Sequence, residues 1–181
     1  MLVAITGASG AILGIKFLEE LKELEVETEL IISEKAEIII NTETNYRIEH
    51  VRNLATKNYD VSDLTAAPAS GSYLVDKMVV IPCSMKTLAA VANGYSDNLI
   101  SRTADVMIKE RRKLILVVRE TPLNAIHLEN MLKLTRLGVV IFPPIPSFYH
   151  KPKNIDDLVN HMIGRILDQA GIQIDIKRWG D

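Results

Sequence analysis

Short apolar runs alternate along the chain with longer stretches in which apolar residues recur every three or four positions. Leu2–Thr6, a run closed by glycine, has the form of a buried strand. Ala11–Leu24 then carries Leu13, Phe17, Leu18, Leu21 and Leu24 on one helical face. Thr28–Ile32 reads as a second strand and Glu34–Thr42 as a helix. Lys77–Ile81 reads as a strand closed by Pro82, followed by helices over Ser84–Ala92 and Leu99–Arg111. Leu114–Val118 and Val139–Phe142 read as strands around a helix at Ala125–Leu137, and a last helix covers Ile155–Ala170. Strands repeatedly followed by helices imply a parallel sheet covered on both faces. Right-handed crossovers then predict an α/β, Rossmann-like doubly wound fold that binds ligands at the carboxyl ends of its strands. Thr65–Ser72 and the proline-rich Pro143–Pro152 read as functional loops, not as domain linkers.

Composition narrows the class. The 181 residues suit one domain over 1–181, and 48% apolar with 24% charged residues excludes a disordered tail, a collagen-like fibre and a coiled coil. Twenty-one basic against 23 acidic side chains give a net charge of −2, no reason to expect nucleic acid or an anionic membrane as partner. One cysteine excludes an internal disulfide, and the absence of a Cys/His cluster predicts no metal site. Met1–Ile15 is mostly apolar, but no basic residue precedes it and Gly7, Gly10 and Gly14 interrupt it, unlike a signal peptide. No run reaches the roughly 20 residues that span a bilayer, so the expected location is the cytoplasm.

The strongest local signal is ITGASGAILG, Ile5–Gly14, a strand running through a glycine loop into a helix. Such a loop brings amide N–H groups and a helix N-terminus to an anion. Its spacing is neither the dinucleotide fingerprint nor the nucleoside-triphosphate loop, so it points to one phosphate, as in a mononucleotide; a tight turn without ligand is the alternative. Ser33 ends the second strand, where it can cap the next helix or bond a ribityl hydroxyl. Pro82–Thr87 repeats the arrangement, with Ser84 as helix cap and Cys83 as a small buried apolar residue without an activating histidine. Arg119 and Glu120 follow a buried strand and should sit at the crevice mouth, where arginine suits phosphate and a carboxylate handles protons. Arg102, Lys109, Tyr149 and Arg165 complete a set of polar candidates. For Lys109 a solvated helix end is the plainer reading, as is an ordinary surface carboxylate for Glu43.

With these residues laid out, the sequence resembles the UbiX-type flavin prenyltransferase family over nearly its whole length. The resemblance rests on TGASGA (Thr6–Ala11), Thr42-Glu43-Thr44, APASGS (Ala67–Ser72), PCSMKTLAAVANG (Pro82–Gly94) and DNLISRTADVMIKERRKL (Asp97–Leu114). It continues through VRETPL (Val118–Leu123), IHLENMLKL (Ile126–Leu134), FYHKP (Phe148–Pro152) and RWG (Arg178–Gly180). It implies an enzyme that joins a dimethylallyl group from dimethylallyl phosphate to N5 and C6 of reduced FMN, without a metal. The prenylated FMN would serve a UbiD-type decarboxylase.

The resemblance also implies roles. Gly7, Ala8, Ser9, Ser33, Ser84, Met85, Lys86, Thr87 and Arg119 would bind FMN. Tyr149 and Arg165 would hold the dimethylallyl phosphate, with Arg102, Lys109 and Glu120 in the same site and Glu43 implicated in the chemistry. It further implies a homododecamer built from trimers, with the active site shared between subunits. Several relatives carry a tryptophan shortly before the APASGS-like loop, near Leu64 here. The competing readings are a non-catalytic FMN-binding flavoprotein and a flavin-dependent cysteine decarboxylase. The latter needs an early histidine and a PxMNxxMW-type segment, whereas the first histidine here is His50 and Trp179 is the only tryptophan.

Overall fold

The computed structural model describes residues 1–180. In chain order the elements are β1 (Leu2–Ile5), α1 (Ala11–Glu23), β2 (Glu29–Ile32), α2 (Glu34–Glu43), α3 (Ile48–Arg52), β3 (Lys57–Tyr59) and a 3-10 turn at Ala67–Ala69. Then come β4 (Lys77–Cys83), α4 (Met85–Ala92), α5 (Leu99–Lys109), β5 (Lys113–Val118), α6 (Ala125–Arg136), β6 (Val140–Ile141) and α7 (Ile155–Ala170). The six strands form one parallel sheet in the order β3-β2-β1-β4-β5-β6. This is the doubly wound Rossmann order, in which the chain reverses its direction of winding between β1 and β4.

The period-two alternation of the strands explains the two cores. Val3 and Ile5 of β1 face a core shared with Leu13, Phe17 and Leu21 of α1 and Val159, Ile163 and Ile166 of α7. Leu2 and Ala4 face the other side, with Leu88 of α4 and Ile100, Ala104 and Met107 of α5. Burying each of these larger side chains contributes on the order of 1.5–3 kcal/mol. Helix α1 packs unusually close to the sheet: a Cβ at Gly14 would lie 2.5 Å from the Ile81 carbonyl oxygen, so no larger residue fits there.

Strand β4 runs on through Pro82 to Cys83, two residues past the predicted end. Pro82 gives no N–H to the ladder, and the β4–β5 register shifts between Val80 and Cys83 to absorb it. The sequence pattern predicts neither α3 nor β3. In β3 only Tyr59 of three residues is buried, and an edge strand so short leaves no readable alternation. Among the described residues, no helix is long and apolar enough to cross a membrane.

Candidate functional site

The crevice forms where the winding reverses, and Thr6 ties its two sides together. The Thr6 hydroxyl donates to the Pro82 carbonyl at 2.8 Å and accepts from the Ser84 amide at 2.8 Å, while the Thr6 amide reaches the same carbonyl at 3.2 Å. Backbone bonds also extend the ladder past the strands, from Ser33 N–H to the Ile5 carbonyl and from Arg119 N–H to the Cys83 carbonyl. Ser33, Thr6, Ser84 and Arg119 therefore stand at four adjacent strand ends, across about 15 Å at the usual strand spacing.

Two helices open onto this rim with serine caps. Ser33 accepts from the Ala36 amide at 3.2 Å and Ser84 from the Thr87 amide at 3.3 Å, with the Ser84 and Thr87 hydroxyls 3.1 Å apart. The first two amides of each helix, Glu34 and Lys35 in α2 and Met85 and Lys86 in α4, have no intrahelical carbonyl to bond. The Lys86 ammonium is held away from them by Asp97 at 2.6 Å. Cys83 is fully buried, and burial pushes its thiol far above the usual range, as befits a core residue and not a nucleophile.

The glycine loop meets a carboxylate of the same chain. Gly10, with φ at 93°, offers α1 no side-chain cap. Glu43, at the end of α2, supplies one from a distance: its carboxylate accepts from the Gly10 amide at 2.8 Å and the Ala11 amide at 3.3 Å. Partial burial pushes the Glu43 carboxyl up, but hydrogen bonds from the Ser9 hydroxyl and these two amides, with the Arg119 guanidinium nearby, outweigh it. They hold the group below the usual carboxylate range. The anion site at the α1 N-terminus is thus filled by the protein itself, and the open helix termini are those of α2 and α4. Gly7, Ala8 and Ser9 line the loop beside it, and exposed Glu120 accepts from the Thr121 amide at 3.0 Å.

The remaining candidates lie elsewhere in the chain. Lys109 ends α5 just before β5 begins, so it sits at the amino end of the sheet, about 20 Å from Arg119 along the six-residue strand. It pairs there with Glu110. Arg102, higher on α5, donates to the Ala69 carbonyl and pairs with Asp105, both at 3.0 Å, and Arg112 donates to the Tyr73 and Gly71 carbonyls. Arg102 fastens the 69–73 loop onto α5, and Arg112 fastens it to the turn between α5 and β5. Leu64 is exposed in the connection after β3.

Tyr149 and Arg165 meet in a separate cleft of about 470 Å³ on the α7 side, lined by Phe142, Ile145, Met162 and Trp179 as well as by polar groups. None of the crevice residues lines it. Arg165 lies one turn before Gln169, whose carbonyl accepts from Lys113 at the start of β5, and Phe142 directly follows β6 at the sheet edge, two strands from the β1–β4 reversal. Asp168 organises its cationic end, bonding Arg178 at 2.8 and 2.9 Å and Arg165 at 3.1 Å. The Arg178 hydrogen bonds above all, against some burial and with the Arg165 charge adding, hold the Asp168 carboxyl below its usual range. The sequence reading did not single out Thr6, Asp168 or His161. Thr6 lies inside the quoted TGASGA run, and its place at a strand end was the one available signal. Among the described residues, no group of three or more His, Cys, Asp or Glu side chains could hold a metal ion.

A strand-end crevice with free helix termini, in the Rossmann order, is the architecture of a nucleotide-binding type of α/β protein, and residues 1–167 match the family model described as Flavoprotein. The chain is 54% identical over 180 residues to the mitochondrial flavin prenyltransferase PAD1 of Saccharomyces cerevisiae, covering 99% of this chain and 74% of that one. It superposes with a TM-score of 0.97, at 54% identity, on a crystal structure of AnUbiX (PadA1) in complex with FMN and dimethylallyl pyrophosphate, covering 99% and 96% of the two chains. A dodecameric FMN-dependent UbiX-like decarboxylase from Escherichia coli O157:H7 matches at 47% identity and TM-score 0.96 over the whole of both chains. The chain belongs to the UbiX-type flavin prenyltransferase family.

Proposed function

We propose that the protein transfers a dimethylallyl group from dimethylallyl phosphate to reduced FMN, releasing prenylated FMN for a UbiD-type decarboxylase. The observation that carries this reading is the lining of the Tyr149 cleft, which combines two arginines and a phenol with the apolar side chains Phe142, Ile145, Met162 and Trp179. That lining is complementary to a short branched hydrocarbon ending in phosphate.

The crevice residues fit FMN. Hydroxyls of Ser33, Ser84 and Thr87, the uncommitted first amides of α2 and α4, and Arg119 make a donor-rich set suited to a phosphate and a polyhydroxyl chain. Gly7, Ala8, Ser9, Met85 and Lys86 complete the proposed FMN contacts. When bound, reduced FMN supplies the electron-rich N5 and C6 that take the five-carbon unit.

The chain's own part is electrostatic and positional. Arg165 and Tyr149 neutralise the charge that grows on the leaving phosphate, which lowers the barrier to ionising the allylic C–O bond without a metal. Arg102 and Lys109 add positive charge to the same site. Glu43 holds the Ser9–Ala11 loop and Arg119 in register. Glu120 is the group proposed to take the proton from C6.

Crevice, α5 end and cleft do not meet within one chain, so the complete site forms between copies, and we propose the dodecamer as that assembly. This also disfavours the pure binding reading, which needs only the crevice.

Anaerobic incubation with reduced FMN and dimethylallyl monophosphate, then mass spectrometry of the extracted flavin, tests the proposal. A gain of one C5H8 unit is expected. FMN recovered unmodified with both the monophosphate and the diphosphate favours the binding protein. Glu120→Gln should keep FMN affinity and slow turnover by about tenfold or more; unchanged turnover removes Glu120 as the base.

A further inference from the structure

His161 sits in the middle of α7, 6% exposed, at the base of the Tyr149 cleft. Both of its ring nitrogens are in use. Nε2 lies 3.1 Å from the Lys177 backbone carbonyl and 3.0 Å from the Tyr149 hydroxyl, and Nδ1 lies 3.2 Å from the Ser147 hydroxyl. A carbonyl can only accept, so the Lys177 contact requires the proton on Nε2. Nδ1 is then an acceptor and takes the Ser147 hydroxyl hydrogen. Ser147 in turn can accept from Nδ1 of His150, at 3.5 Å, whose ring stacks on His161 with centroids 4.1 Å apart.

Every donor in this chain points the same way: His150 to Ser147, Ser147 to His161, His161 to Lys177 and Tyr149. The Nε2–H shared with the tyrosine makes the Tyr149 oxygen an acceptor on its protein side. Its own hydrogen is left to point elsewhere, and the open side is the cleft containing Arg165. With the opposite tautomer the phenol would spend its hydrogen on the imidazole and present only lone pairs to an anion.

We infer that His161 is a positioning residue for the reaction: the Lys177 carbonyl fixes its tautomer, and the tautomer turns the Tyr149 hydroxyl into a hydrogen-bond donor for the phosphate of the prenyl donor. Burial, together with the adjacent His150, Arg165 and Arg178, keeps the imidazole below its ordinary pKa against the pull of the Lys177 carbonyl, so the ring is neutral at pH 7. The inference rests on Tyr149 contacting that phosphate, and the experiment separates the two.

Nitrogen NMR of the imidazole in the wild-type protein reads the tautomer directly. Nε2–H is expected, and Nδ1–H overturns the inference. Calorimetric binding of dimethylallyl monophosphate is then compared in Tyr149→Phe, His161→Phe and His161→Gln. Losing one donor to a charged group should weaken binding about tenfold in both phenylalanine variants, with His161→Gln recovering most of it because its amide N–H can replace Nε2–H. FMN affinity should stay at the wild-type level in all three, and kcat should fall in both phenylalanine variants, because the same hydroxyl meets the charge that grows on the leaving phosphate. Loss in Tyr149→Phe without loss in His161→Phe overturns the His161 role, as does a glutamine variant no better than phenylalanine. No loss in Tyr149→Phe removes the tyrosine contact itself. If His161→Phe does not fold, the tautomer and the glutamine variant still decide.

Discussion

At the strand ends, almost every polar group stands within three residues of a strand terminus or a helix cap, and the backbone does most of the holding. The Tyr149 cleft is built the other way, from side chains contributed by the Phe142–Tyr149 loop, the middle of α7 and the Arg178–Trp179 tail. The crevice is a property of the doubly wound topology, which needs only small polar residues at fixed places. The cleft has no such template; Asp168, His161 and Lys177 have to place its arginines and its phenol one contact at a time. The proposed flavin site and the proposed donor site are thus built on one sheet by separate means.

The sharpest way to break that comparison is to ask whether the two regions of one chain serve the same active site. Arg119→Ala disables a crevice and Arg165→Ala a cleft, and each should lose on the order of 10²-fold or more in kcat/KM. If each site joins a crevice from one subunit to a cleft from another, mixed oligomers made by subunit exchange should recover about a quarter of wild-type sites, half times half. No recovery would mean that crevice and cleft of the same chain act together, against the separation seen within it.

A smaller effect sharpens the comparison from the crevice side. Thr6→Val keeps the shape but removes both hydroxyl bonds across the winding reversal and leaves the Ser84 amide unpaired. A stability loss of about 2 kcal/mol is expected in chemical denaturation, with weaker FMN binding, because an unsatisfied partly buried donor costs that much. Donor binding to the Tyr149 cleft should not change. An equal loss at both sites would mean that the cleft depends on the strand ends after all.

The same contrast explains what was legible in the sequence. Strand ends and caps are local, so Ser33, Ser84 and the crevice could be read from runs of a few residues, and α7 was predicted with its observed bounds. Edge strand β3 was not, because its three residues carry one buried side chain. The glycine loop was read correctly as a turn into a helix. The Glu43 bond to the loop is not legible, because Glu43 lies 33 residues from Gly10 and only the packing of α2 against α1 brings them together. His161 is not legible for the same reason: its partners Ser147, Tyr149 and Lys177 are 12 to 16 residues away, on loops without periodicity.

Glu43 offers the smallest and most specific test, because charge and shape can be separated there. Glu43→Gln keeps a carbonyl oxygen for the Gly10 and Ala11 amides but removes the charge that faces the α1 N-terminus and Arg119. The folded-state pKa of Glu43 is depressed, so its contribution is fully present above the ordinary carboxylate value and is lost as pH falls through the lower, folded value. At pH 7 the variant should therefore be less stable by at most about 1 kcal/mol, the usual worth of a helix cap. Denaturation curves of the two proteins should converge in acid, once Glu43 is protonated and differs from glutamine by little more than a hydroxyl for an amine. A gap that stays constant with pH would mean that the carboxylate holds the glycine loop by shape alone, and the crevice would then owe nothing to the charge at its edge.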